Sequence, residues 1–393
     1  MQYRQFGKLD FKVSALGFGA MRLPVKGGRI NETEAAAILH YAIDHGLNYV
    51  DTAYPYHDGE SEVFLGRALT GAYRDKAKLA TKLPGWKVKE KKDFDRLLNE
   101  QLRRLNRDSV DFYLIHALNK QSWDKLSALG ILEWAEKAKE SGCFRYFGFS
   151  FHDEFPVFKE IIDAYNWDLC LIQYNFMDVN KQAGKKGLQY AAAKGMAVAI
   201  MEPLMGGRLV IPPREVQEIW DQAEQKRSPV EWALQWLWDQ PEVSVVLSGM
   251  NSMDQVKENI ALAEKARINS LSPAEHGLYE KVRAKYEELT VIPCTRCGYC
   301  MPCPQGVDIP GNLCNYNEGY IYNRPELARG QYEWWKNSWQ DPDGGLSHDI
   351  RAGQCIQCGV CEEKCPQSIP ISRWMPVIHK ALAENGPYLT KLD

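Results

Sequence analysis

Four side chains able to handle protons stand at comparable places early in the chain: Asp51, Tyr56, Lys82 and His116. Asp51 closes the apolar run 47–50 and precedes the helix-like stretch 60–69, and Tyr56 sits on the loop between them. Lys82 ends the strand-like run 78–82, and His116 ends the run 110–116. A tyrosine that acts as an acid near neutral pH needs its pKa brought down from about 10 by a nearby cation. Lys82 supplies that cation and Asp51 would hold it. His116 could orient and polarise a group such as a carbonyl, and Tyr56 would donate a proton to its oxygen. Singly, each residue has a plainer role as a helix cap, a strand end or a satisfied structural histidine. Together they have a mechanism.

The cysteines form a second concentration of chemistry. Of 11, only Cys143 and Cys170 precede residue 290, and their apolar neighbours mark them as packing residues. Cys355, Cys358, Cys361 and Cys365, followed by Pro366, spell the C-x2-C-x2-C-x3-C-P run of bacterial ferredoxins. Three closely spaced thiolates wrap three corners of a cubane and a distant fourth completes it. Zinc sites use paired CxxC knuckles, and a c-type haem needs a His after CxxC, which this chain lacks. Cys294, Cys297, Cys300 and Cys303, followed by Pro304, repeat the run with one residue fewer before the last cysteine. That departure leaves Cys314 as an alternative ligand, although Pro304 and the repeat favour Cys303. The expectation is two [4Fe–4S] clusters, one on Cys294, Cys297, Cys300 and Cys365, the other on Cys355, Cys358, Cys361 and Cys303. The intervening stretch carries helix-like, aromatic segments, as in the helical ferredoxin class.

The elements that must position these groups alternate. After an opening hairpin (3–6 and 11–14), strands are expected to end at Gly19, Asp51, Lys82, His116, Ser150, Asn175, Glu202 and Gly249. Helices are expected at 32–45, with Asn31 as N-cap, and near 60–70, 90–106, 122–141, 154–165, 181–195, 228–239 and 252–266. Runs such as 197–201 and 243–247 suit strands covered on both faces. An open doubly wound sheet would place a GxGxxG loop after its first strand, and Gly17-Phe18-Gly19-Ala20 does not continue that way. A closed (β/α)8 barrel is the expected α/β fold, with a mostly helical iron–sulfur appendage. Each polar residue above falls at the C-terminal end of its strand, the face that holds active sites in such barrels.

DTAYPY, ATKLP and YLIHA, with Asp51, Tyr56, Lys82 and His116, resemble the catalytic tetrad of the aldo-keto reductases. With its two cysteine motifs, the chain resembles an iron–sulfur-containing member of that family. The resemblance implies a barrel at 1–290, a ferredoxin-type domain at 291–393, and NADP or NAD as cofactor. It implies that Ser150 and Gln173 hold the nicotinamide carboxamide and that Met201 stands where many members stack a tyrosine. Pro203, Leu204 and Gly206 resemble the loop over the pyrophosphate. Ser248, Gly249, Gln255, Glu258 and Asn259 resemble the adenosine site. Gly249 and Gln255 replace the Lys and Arg that many members use for the 2′-phosphate, which weakens the expected preference for NADP(H). Trp86, Trp123, Phe151 and His152 follow three successive strands and either line a substrate pocket or pack the loops.

Composition narrows the rest. A net charge of −3 over 393 residues, without a basic block, argues against nucleic acid. No long apolar run predicts a membrane span, and the first residues lack a signal-peptide core. Reduced thiols then point to the cytoplasm. The leading expectation is an oxidoreductase that reduces an aldehyde or ketone, or oxidises the alcohol, with clusters that are structural or pass electrons to a ferredoxin-like partner. The alternatives are an electron-transfer protein and a redox or nucleotide sensor whose barrel only binds a nucleotide.

Overall fold

The apolar runs fold into eight parallel strands closed into a barrel: Leu16–Gly19, Tyr49–Asp51, Lys78–Leu83, Val110–Leu118, Phe144–Phe151, Leu169–Gln173, Ala197–Met201 and Val245–Ser248. The structure, a computed structural model, describes residues 1–337 and 348–392. Sequence neighbours are barrel neighbours, and the eighth strand closes on the first through Val246–Leu16 and Ser248–Phe18. Inward-facing Tyr49, Ala80, Phe112, Leu114, Leu171 and Ala199 join the core inside the barrel. The opening hairpin, Tyr3–Gln5 with Lys12–Ser14, adds Phe6, Leu9 and Val13 to that core. The Phe6 ring meets Phe112 edge-on at 5.3 Å. Its turn glycine, Gly7, has φ +56°, and a Cβ there would stand 2.4 Å from the Ala197 backbone nitrogen. The hairpin thus plugs the end where the strands begin.

Three details depart from the sequence reading. Asn31 precedes the helix Glu32–Asp44, but its side chain donates to Glu34 Oε2 at 3.0 Å and caps no backbone N–H. The segment 122–141 forms two helices, Lys120–Ala128 and Ile131–Glu140, because Gly130 between them adopts φ 77°. Helices Arg214–Trp220 and Pro273–Glu288 were not expected. Ser272 and Glu275 cap the latter reciprocally, with Pro273 in its first turn.

The chain divides into two compact units, one of residues 1–206 and 231–271, the other of residues 207–230 together with those from 272 onward. It therefore crosses between units three times. In the second unit, helices Ile309–Ile321, Pro325–Trp334 and Ile371–Ala383 gather Tyr316, Tyr332, Trp374, Met375 and Ile378 into a core. Among the described residues no helix is long and apolar enough to cross a membrane.

Barrel closure leaves little room between the fifth and sixth strands. A Cβ on Gly148 would lie 2.4 Å from the Leu169 carbonyl oxygen. Gly148→Ala is expected to destabilise the protein by about 2 kcal/mol through overpacking. A lower midpoint in urea unfolding would show it, and an unchanged midpoint would mean the backbone yields freely.

Candidate active site

Lys82, wholly buried in the third strand, uses its three protons on three partners. Its Nζ donates to Asp51 Oδ1 at 2.6 Å, to the Thr52 carbonyl at 2.7 Å and to Tyr56 Oη at 3.3 Å. Strand register sets this arrangement. Asp51 pairs with Ala80, two residues before Lys82, and Thr52 N–H donates to the Ala80 carbonyl at 2.9 Å. Tyr56 opens a tight turn in which His57 and Asp58 take left-handed φ of 51° and 55°. His57 Nε2 steadies that turn by accepting from Leu23 N–H at 3.1 Å. His116 lies in the fourth strand within an irregularity between Ile115 and Leu118, where Ala117 has φ 53° and donates its N–H to Ser150 Oγ at 2.7 Å. The Tyr56 and His116 rings stand edge-on, 6.0 Å apart.

Burial governs the electrostatics. It raises the Tyr56 pKa above the usual phenol value, because the pull of Lys82 in the other direction is smaller and Asp51 opposes it. The expected lowering of Tyr56 is therefore not found in the chain alone. Burial opposes the Lys82 ammonium, yet Asp51 and Tyr56 hold its pKa above the ordinary value. His116 is pushed well below the usual imidazole range by burial, then by Lys82 and His152. Among the described residues, its Nδ1 and the Asp51 Oδ2 are buried without a protein partner. These orphaned polar atoms at the strand ends fit a polar ligand such as a nicotinamide ribose or a carbonyl substrate.

A supporting layer escaped the sequence reading. Glu62, wholly buried on the helix Glu60–Ala68, accepts from Thr81 Oγ1 and Gln101 Nε2, each at 2.6 Å. Gln101 also donates to the Lys82 carbonyl at 3.0 Å and accepts from Tyr113 Oη at 2.8 Å. Arg104 Nη1 lies 3.3 Å from Glu62 Oε2. A glutamate on an otherwise solvated-looking helix gives no warning in the sequence that it is buried.

The other expected site residues fall at the strand ends, in the loops that follow, or, for Gln255, Glu258 and Asn259, on the helix Met253–Ala263 after the eighth strand. Gln173 Nε2 donates to Asp178 Oδ2 at 2.8 Å, and Met201, the last residue of the seventh strand, is half-buried. Pro203 is buried, Leu204 is half-buried, and Gly206 turns with φ 66°. Ser248 Oγ accepts from Asn259 Nδ2 at 3.0 Å. Gly249 is exposed under the Arg22 side-chain stem, Gln255 Oε1 accepts from Asn251 N–H at 2.9 Å, and Glu258 is exposed. Trp123 and Phe151 are packing residues, the latter 4.9 Å from the Phe158 ring. Trp86 is 52% exposed with its ring 5.2 Å from His116, so of these aromatics it borders open space beside the tetrad. His152 is exposed.

In the second unit the cysteines surround two adjoining cavities. Cys294, Cys297, Cys300 and Cys365 line one; Cys303, Cys355, Cys358 and Cys361 line the other, with Cys300 and Ile371 shared. Two buried asparagines on the helix Ile309–Ile321 fix the backbone that enters each motif. Asn317 donates to the Ile292 carbonyl at 2.7 Å and accepts from its N–H at 2.9 Å. Asn312 donates to the Ile350 carbonyl at 3.0 Å and accepts from Ala352 N–H at 2.8 Å. Cys314 lines neither cavity and accepts from Arg296 Nε at 2.8 Å. Among the described residues no three His, Cys, Asp or Glu side chains gather as one metal ion would need. Thiolates spread around a cavity suit the larger body of a cluster.

The model of the aldo/keto reductase family matches residues 15–275. The chain belongs to the aldo/keto reductase family. A 4Fe-4S dicluster domain model matches residues 293–369, so this aldo/keto reductase carries an iron–sulfur domain after its barrel. L-Galactose dehydrogenase of Arabidopsis thaliana is 29% identical over 301 residues, covering 71% of this chain and 93% of that one. An aldo-keto reductase of Bacillus halodurans, solved in its holo form, is 29% identical with a TM-score of 0.61, covering 72% of this chain and 96% of that one. One from Klebsiella pneumoniae, solved with NADPH, shares the fold at 23% identity and a TM-score of 0.60, covering 72% and 95%. This aldo/keto reductase is accordingly an oxidoreductase enzyme.

The depressed His116 pKa makes a neutral imidazole in this reductase a measurable expectation. A folded-state pKa below the ordinary imidazole value means that protonation is resisted as the pH falls through 6.5. Long-range proton–nitrogen NMR at pH 6 is expected to show His116 uncharged, and an imidazolium signal there would contradict it.

Proposed function

We propose that the barrel reduces an aldehyde or ketone with NADPH or NADH, or oxidises the corresponding alcohol. The observation that carries this reading is the single buried Lys82 ammonium that donates to both Asp51 and Tyr56. A raised pKa keeps Tyr56 protonated, as a proton donor must be before reaction. As the proton leaves, the Lys82 charge steadies the phenolate that remains. Neutral His116 donates a hydrogen bond to the carbonyl oxygen without giving up a charge. Asp51 holds Lys82 in place. Ser150, Gln173 and Met201 would hold the nicotinamide, Pro203, Leu204 and Gly206 the pyrophosphate, and Ser248, Gly249, Gln255, Glu258 and Asn259 the adenosine end. Bound there, the nicotinamide supplies the hydride.

The same proposal assigns residues 1–290 to the reductase and 291–393 to the iron–sulfur domain. Cys294, Cys297, Cys300 and Cys365 would hold one [4Fe–4S] cluster, and Cys303, Cys355, Cys358 and Cys361 the other. The donor set fits, since the cysteines of each set line a common cavity. Two centres exceed what one structural staple requires, and the shared Cys300 wall sets them side by side, so that electrons could pass between them on the way to a ferredoxin-like partner. Cysteines in such number, serving as cluster ligands and packing residues and not as disulfides, suit the reducing cytoplasm.

Tyr56→Phe is expected to lower carbonyl reduction at least ~100-fold while nucleotide affinity stays close to wild type. Turnover near the wild-type rate would remove Tyr56 from the role. Anaerobically purified protein is expected to hold about eight irons and eight acid-labile sulfides per chain, the content of two cubanes. Cys358→Ala should lose a share of that iron and Cys314→Ser should keep it all. Iron loss confined to Cys314→Ser would reassign the fourth ligand.

A further inference from the structure

One hollow of the barrel unit plays no part in the reaction proposed above. It opens where strands begin, at the end opposite Lys82 and His116, and is bordered by Lys78, Val110 and Phe144, the first residues of three successive strands. Its volume is about 460 Å³, within the range of small-molecule sites. Cations outnumber carboxylates around it. Asp111 is already engaged, with Oδ1 3.4 Å from Lys78 Nζ and Oδ2 accepting from Leu79 N–H at 2.9 Å. Lys139 is paired outward with Asp168 at 3.0 Å.

That leaves three guanidiniums, on Arg74, Arg107 and Arg145, with no carboxylate at ion-pair distance among the described residues. Their remaining contacts are weak. Arg74 Nη1 lies 3.4 Å from the Asn106 carbonyl, and Arg107 Nη2 lies 3.5 Å from the Arg74 carbonyl. Arg145 stacks 5.0 Å over the Tyr146 ring. Arg107 is half-buried, and burial, then repulsion from Arg74, lowers its pKa more than Asp111 and Asp75 raise it. A guanidinium withdrawn from water and faced by a like charge is unfavourable until an anion completes its surroundings.

We propose that this hollow binds a small phosphate-bearing anion through Arg74, Arg107 and Arg145. Guanidinium forks match phosphate oxygens bidentately, and a phosphate carries enough charge and acceptors to engage three of them at once. A single carboxylate would satisfy one fork. The Ser109 hydroxyl on the same wall adds a neutral donor.

The test is calorimetric titration of the full-length protein with pyrophosphate at low salt, with and without saturating NADPH. The expected result is saturable binding that NADPH does not displace and that Arg107→Ala weakens at least about tenfold. Exposed Arg145→Ala is the second variant, should Arg107→Ala fail to fold, and is expected to weaken binding in the same direction. No saturable binding, displacement by NADPH, or unchanged affinity in both variants would overturn the proposal. So would capture of an acidic protein at this face without any affinity for pyrophosphate.

Discussion

The interaction on which the site depends is the ion pair between Lys82 and Asp51, closed to water at 2.6 Å. Burying two charges is unfavourable, and their attraction offsets it only when the geometry is good and the remaining donors are satisfied. Here the Thr52 carbonyl and the Tyr56 hydroxyl take the other two lysine protons. Losing one partner of such a pair strands the other charge, a penalty of about 3–5 kcal/mol. The register of strands two to four is thus tied to the chemistry, since a slip of one residue would turn Lys82 away from Asp51.

Around that pair, three titratable groups within reach of one another are shifted in different directions by burial and by the charges beside them. The Lys82 pKa is raised because Asp51 and Tyr56 together outweigh burial, that of His116 is lowered because burial and then Lys82 resist a second cation, and that of Tyr56 is raised because burial outweighs Lys82. Burial therefore sets the direction at both neighbours, with the Lys82 charge reinforcing it at His116 and opposing it at Tyr56. The layer behind it, Glu62, Thr81, Gln101 and Tyr113, is equally dry and holds the strand carrying Lys82 through its own carbonyl.

The barrel was readable because its strands are continuous apolar runs and its polar residues mark their ends. The cysteine motifs were readable because thiolate spacing is local. What failed to show was either conformational or long-range. Gly130 breaks a helix whose hydrophobic period runs on through it, so the pattern alone joins the halves. Glu62 and Gln101 look like exposed helix residues, and only the fold shows that they face each other across Thr81. Asn312 and Asn317 carry no sequence mark of clamping loops far along the chain. The sign of the Tyr56 shift depends on the balance of burial against Lys82, and no spacing rule contains burial.

The division into two units also has a consequence in time. During synthesis the barrel unit has all its residues once Leu271 has emerged, before any residue of either cysteine motif. Residues 207–230 have emerged by then, but they belong with a unit made largely of chain not yet translated. Domains generally fold as units, N-terminal first, as the ribosome delivers them. The helix Arg214–Trp220 must therefore wait for Pro273–Glu288, whose Tyr279 receives its Trp220 ring at 5.0 Å. The nascent reductase thus passes through a stage with its barrel strands complete and one of its own loops still without its packing partner.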